Sequence, residues 1–192
     1  MQQDFFEYGA TYHICNRGVN REDIFKEEKN YTYFLSLMKK YLVPVADIYA
    51  YCLMKNHYHI LLRFKEQQNV LVTDAYHPLS NMLNAYSKSI NKSFQRTGSL
   101  FQRHPKRNRV NDKEYFMQLV VYIHLNPVKH GFSMSLNYPH SSYQSIISNK
   151  PTNLDRKTVV DYFDDVDNLI SWHDFNRLQH QKVKELIEED DD

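Results

Sequence analysis

Apolar residues fall at every second position from Tyr58 to Phe64 (Tyr58, Ile60, Leu62, Phe64), the period of a strand with one face against a core. That phase turns His57, His59, Leu61 and Arg63 to the other face. Residues 10–16 are rich in β-formers and stop at the turn signal Asn16-Arg17-Gly18, which places a first strand there. Tyr31, Phe34, Leu35, Met38, Tyr41 and Leu42 recur at helical spacing over residues 27–42, and Pro44 closes that helix. Residues 47–54 read as a second strand, joined to the histidine strand through Lys55-Asn56 as a tight hairpin turn. After a polar loop at 65–77, Leu79, Met82, Leu83, Tyr86 and Ile90 mark a helix over 79–94, and a basic extended segment at 100–110 supplies a fourth strand. The order is βαββαβ, a ferredoxin-like antiparallel sheet of the α+β class with its two helices on one face. His57 and His59 should then point to the face those helices leave uncovered.

A further helix follows. Asn111 with Glu114 resembles a capping box, and the helix runs over 112–126, where Pro127 disfavours continuation. Phe116, Leu119, Val120 and Ile123 form its apolar stripe. Tyr122 and Asn126, an i, i+4 pair, project side by side along the border of that stripe, where the helix meets the sheet. Helical stretches are also expected at 154–163 and 171–187. The organisation is one domain over residues 1–150 with an acidic helical extension over 151–192.

Charge sharpens this division. Residues 1–150 hold 19 Lys/Arg against 11 Asp/Glu, a net of +8, whereas residues 151–192 hold 5 against 12, a net of −7. A basic body suits a polyanionic partner. The N-terminal residues lack the basic and apolar regions of a signal peptide, and no run approaches the ~20 apolar residues of a membrane span, so a soluble, cytoplasmic protein is expected. Cys15 and Cys52 sit in apolar strand-like runs without a paired-cysteine spacing, which favours buried reduced thiols.

Two histidines on one strand face lie roughly 6–7 Å apart at the backbone and can converge on one ion. A third ligand is needed, and among many polar groups Asn126 stands out, since an amide oxygen beside nitrogen donors suits Mg²⁺ or Mn²⁺. From residue 75 to 111 there is no Asp or Glu, while Lys88, Lys92, Arg96, Arg103, Lys106, Arg107 and Arg109 supply seven positive charges. Tyr86, Phe94 and Phe101 lie among them, and cations for phosphates with rings for stacking are what a single-stranded nucleic acid requires.

His57-Tyr58-His59 resembles the histidine–hydrophobe–histidine (HUH) motif, and Tyr122-Ile-His-Leu-Asn126-Pro127-Val128 is similar to the tyrosine-helix signature of one-tyrosine HUH transposases, especially the REP-associated tyrosine transposases. The likeness extends through Tyr12-His-Ile-Cys-Asn16-Arg17-Gly18, Tyr49-Ala-Tyr-Cys-Leu-Met54, Gly98-Ser-Leu-Phe-Gln102-Arg103 and Ser141-Ser142-Tyr143, and so spans about residues 8–145. Lys55 departs from it, standing where proline is common. The resemblance implies a metal-dependent endonuclease and strand transferase of DNA transposition, acting on single-stranded DNA that carries hairpins, as a monomer or homodimer. Tyr122 would be the nucleophile that forms a 5′-phosphotyrosine, and His57, His59 and Asn126 the ligands of a divalent metal, Mg²⁺ or Mn²⁺. Arg17, Lys55 and the cations of the 75–111 segment would contact DNA. Two other readings stay open: a regulatory DNA-binding module on the same fold that no longer cuts, and a nuclease that uses activated water.

Overall fold

The computed structural model describes residues 6–67 and 75–187. Residues 68–74 of the expected polar loop and the acidic run at 188–192 lie outside them. Four strands, β1 (Thr11–Arg17), β2 (Ala46–Met54), β3 (His57–Phe64) and β4 (Lys106–Val110), form one sheet in the order β2-β3-β1-β4 with every neighbouring pair antiparallel. Helix α1 (Glu28–Tyr41) connects β1 to β2, and α2 (Tyr76–Ser93) connects β3 to β4. This is the expected ferredoxin-like arrangement.

Alternation along the strands builds two cores. Tyr58, Ile60, Leu62 and Phe64 of β3, with Tyr12 and Ile14 of β1, pack against Phe34 of α1 and Tyr86 of α2. Leu61 of β3, with Ala50 and Cys52 of β2, faces the other way and is covered by Phe116, Val120 and Ile123 of a third helix, α3 (Lys113–Lys129). The Lys55-Asn56 turn fixes the β2–β3 register so that Met54 lies opposite His57. Because the side-chain period of a strand is two, this register commits His57 and His59 to the α3 side.

Three differences from the expected elements bear on the site. The extended segment at 100–110 is split: Phe101 makes a single bridge to Gly18, and the ladder resumes only at Lys106. Pro105, without an N–H to give, stands at that break. The cap of α3 is Asp112, one residue after the expected Asn111, and its carboxylate accepts the Tyr115 N–H at 2.7 Å. The helix also passes through Pro127 to Lys129. Proline removes one helical donor, but the His130 N–H still reaches the Asn126 carbonyl and the Phe132 N–H the Pro127 carbonyl, so the turn holds together around a buried ring.

The chain then forms α4 (Tyr143–Ile147), α5 (Arg156–Tyr162) and α6 (Val166–Ile187). Leu169 and His173 of α6 are fully buried against the α3 side of the sheet. A chain of hydrogen bonds ties these parts together. His173 Nδ1 donates to the Leu169 carbonyl, His173 Nε2 meets His124 Nδ1 at 2.9 Å, and His124 Nε2 meets Ser142 Oγ at 2.7 Å. Ser142 Oγ in turn accepts the Tyr51 N–H of β2 at 2.8 Å. Among the described residues no helix is long and apolar enough to cross a membrane.

Candidate functional site

The floor of the site is three strands wide. On β1, Tyr12 and Ile14 point into the first core, so His13, Cys15 and Arg17 point to the α3 side. The antiparallel register then sets Arg17 opposite His57, and Cys15 opposite both His59 on β3 and Lys106 on β4. The roof is α3, from which Tyr122 and His130 descend. Cys15, Asn16, Arg17, His57, His59, Gln102, Lys106, Tyr122 and His130 together enclose a cavity of about 250 Å³.

Within it the rings of His57 and His59 lie 5.4 Å apart at nearly a right angle. The Tyr122 ring meets His59 edge to face at 5.6 Å, and the His130 ring meets His57 the same way at 5.3 Å. Tyr122, Asn126 and His130 are spaced four residues apart, so Asn126 stands in one row between two rings that each touch a histidine. Asn126 is fully buried; its Nδ2 donates to the Tyr122 carbonyl at 2.8 Å, and among the described residues its Oδ1 has no hydrogen-bond partner. A buried oxygen without a donor costs about 1–3 kcal/mol and marks a place where something else is expected to bind.

The histidines are prepared as neutral donors. Burial, reinforced by His130 and Arg17, pushes His57 down to about 3. Burial followed by the neighbouring His13, His57, His130 and Arg17 holds His59 well below the ordinary histidine value. Each also has its Nδ1 engaged: His57 Nδ1 lies 2.6 Å from Asn56 Oδ1, and His59 Nδ1 lies 2.9 Å from Nε2 of His13. An amide oxygen can only accept, so His57 carries its proton on Nδ1 and leaves the Nε2 lone pair for an ion. The same holds for His59 when His13 acts as the acceptor. Two neutral imidazoles on the cavity wall suit a metal ion, whereas Asn126 is not among the residues that line the cavity.

A second grouping overlaps this one. Donor atoms of His13, Cys15 and His59 all lie within 4.8 Å of one another. The 2.9 Å spacing of the two nitrogens is that of a hydrogen bond. Nitrogens sharing a tetrahedral ion at about 2.0–2.1 Å would be roughly 3.3 Å apart, so the pair must separate before both can ligate. Burial raises the Cys15 thiol, an effect that Lys106 and Arg17 oppose.

Of the cations expected to meet nucleic acid, only Arg17 and Lys106 line the cavity. Lys88 and Lys92 are exposed on α2, and Arg96 follows it in an ion pair with Glu22, all on the opposite side of the sheet. Lys55 pairs with Asp23 and Arg109 with Glu7. Arg107 lies over the rings of Phe6 and Tyr76. Arg103 borders a groove of about 790 Å³ between α2 and residues 98–105, which meets the histidine cavity at Asn16 and Gln102. The sequence pattern did not single out for the site His13, Cys15, His130 or Lys129, whose Nζ sits 4.6 Å from the centre of the Tyr122 ring. The alternation of β1 carried a signal for His13 and Cys15, since both share the phase opposite Tyr12 and Ile14. Cys52 is buried as expected, whereas Cys15 reaches the cavity.

The fold and the sequence both have relatives. A solved structure of a REP-associated tyrosine transposase bound to a REP hairpin superposes with a TM-score of 0.63 over 79% of this chain and 88% of that one, at 15% identity. No curated protein is similar to the chain at a significant level. The model of the IS200-like transposases matches residues 6–126, from before β1 through Asn126. That segment is well over half of the 192 residues and contains His57, His59, Tyr122 and Asn126, and the chain belongs to the IS200-like transposase family.

Proposed function

We propose that the protein is a metal-dependent endonuclease and strand transferase that cuts and rejoins single-stranded DNA through Tyr122. The observation that carries this reading is the edge-to-face contact of Tyr122 with His59 inside the one cavity that also holds His57, Arg17 and Lys106. The solved relative bound to a hairpin supports a DNA hairpin beside the cleaved strand.

A divalent ion, Mg²⁺ or Mn²⁺, held by His57, His59 and Asn126 would polarise the scissile phosphate. Arg17 and Lys106 orient that phosphate and balance its charge. Lys129, its own pKa lowered by burial, stands against the Tyr122 ring and favours the phenolate, which a free phenol with a pKa near 10 seldom forms at neutral pH. The Tyr122 oxygen bonds to phosphorus, the bond to the 3′ oxygen breaks, and that oxygen takes up a proton. The product is a 5′-phosphotyrosine on one strand and a free 3′-hydroxyl on the other. An incoming 3′-hydroxyl reverses the step without ATP, because the covalent link conserves the phosphodiester.

The test is incubation of purified protein with end-labelled hairpin strands, with Mg²⁺, Mn²⁺ or a chelator, alongside Tyr122→Phe. Cleavage and a covalent adduct that need both the ion and the tyrosine support the reading. Undiminished cutting by Tyr122→Phe would assign the chemistry to activated water, and binding without cutting under all conditions would leave a DNA-binding module.

A further inference from the structure

Tyr122 borders a second cavity, and it is larger than the one that holds the histidines. About 530 Å³ in volume, it opens on the other side of the tyrosine, between α3, the exposed edge strand β4 and α6. Besides Tyr122, its walls present two more aromatic rings, Tyr115 and Trp172, and three primary amides, Asn108, Gln118 and Asn176. Trp172 packs its edge against Phe163, 6.0 Å between centres, yet keeps 39% of its surface exposed. Lys129 is the one cation on these walls and sits over the Tyr122 ring. A phosphate seat would gather cations, as the histidine cavity does with Arg17 and Lys106. Rings with amide groups beside them match a nucleobase, which offers a π-face to stack and edges that pair with Asn or Gln.

We infer that this cavity receives the unstacked base of the nucleotide next to the scissile phosphate, with Trp172 as the stacking ring and Gln118 at the base edge. The inference rests on the assignment of Tyr122 as nucleophile toward single-stranded DNA. A phosphate placed at Tyr122 has one nucleotide on each side. The cationic histidine cavity takes the strand on one side, and the ring-lined cavity is the only other space that shares the Tyr122 wall among the cavities described above. Trp172 and Asn176 lie beyond residues 6–126, so this wall comes from the chain's own C-terminal helix and not from the family-matched segment.

Trp172 is the single tryptophan of the chain, so the site reports on itself. The experiment uses full-length Tyr122→Phe protein and hairpin-bearing strands with abasic sites placed one at a time along the single-stranded flank. DNA affinity is read by fluorescence anisotropy and Trp172 emission is read in parallel. The expected result is quenching of Trp172 by the intact strand, lost with one abasic position at the junction that the wild-type protein cuts. That same abasic position should weaken binding about tenfold, the scale of one stacked base. Gln118→Ala, an exposed position, should weaken the intact strand several-fold and leave the abasic strand unchanged. Tight DNA binding with unaltered Trp172 emission, or quenching indifferent to every abasic position, overturns the base pocket while leaving the assignment of Tyr122 standing. Absence of any DNA binding overturns both.

Discussion

His13 Nε2 lies 2.9 Å from Nδ1 of His59, with the two rings nearly parallel, 12° apart, and their centres 5.1 Å apart. Both are buried, and burial holds His13 at about 4, so neither is protonated at neutral pH and the bond between them must run from one N–H to one lone pair. Only the direction from His59 Nδ1–H to His13 leaves His59 Nε2 free to ligate.

His13→Ala removes the acceptor that selects this tautomer. Affinity for Mn²⁺, measured by calorimetry, is expected to fall about 10- to 100-fold, as for loss of other groups that orient a metal-binding imidazole. His13→Gln, which keeps an acceptor, should recover part of it. Equal affinity in all three proteins would show that His13 merely fills space.

Asn126 gives a second prediction through its orphaned Oδ1. In Asn126→Ala the melting temperature without metal should move by only a few degrees, since losing the bond from Nδ2 to the Tyr122 carbonyl is offset by removing a buried oxygen that has no partner. The rise that Mn²⁺ produces in the wild-type protein should shrink to less than half. An undiminished rise would remove Asn126 from the ligand set.

Much of this site was legible along the chain, and the reasons are physical. The period-two pattern of Tyr58 to Phe64 fixes which way His57 and His59 face, and the helical spacing of Tyr122 and Asn126 puts them on one edge. What could not be read was register between distant strands. His13 obeys the same alternation, but its bond to His59 depends on how β1 pairs with β3, across 46 residues. The cations of residues 75–111 looked like one patch because they are near in sequence. The sheet lies between them: Lys88 and Lys92 sit on the α2 side, whereas Lys106 lines the cavity. Continuation through Pro127 was hidden because local preference was overridden by burial of the ring and by the two hydrogen bonds beyond it.

Lys129 should tune the nucleophile. Its cation favours the phenolate over the phenol, so Lys129→Met is expected to move the alkaline rise of the cleavage rate to higher pH. A pH–rate profile measured at saturating metal checks this, and a lowered rate with an unshifted profile would assign Lys129 to packing alone.

The hydrogen-bonded chain through His173 makes the fold sensitive to acid. Burial takes His173 down to about 4, against the ordinary 6.5 of an unfolded histidine, partly offset by its bond to the Leu169 carbonyl and by Asp174. Between those values the unfolded chain binds more protons than the native one. The contribution is therefore fully present above pH 6.5 and lost as pH falls toward 4. From pH 6.5 to 5 it amounts to about 2 kcal/mol. Urea unfolding of the wild-type protein and of His173→Asn should show a shallower pH dependence in the variant, and identical slopes would contradict the assignment.

The central claim is that Tyr122 becomes covalently joined to DNA. Protein trapped on a cleaved hairpin strand with Mn²⁺ can be digested with protease and nuclease and sequenced by tandem mass spectrometry. The expected result is one nucleotide-bearing peptide, covering residues of α3, with the mass increment on Tyr122 and absent from Tyr122→Phe. An increment on another of the 15 tyrosines, or cleavage with no covalent peptide at all, would contradict it.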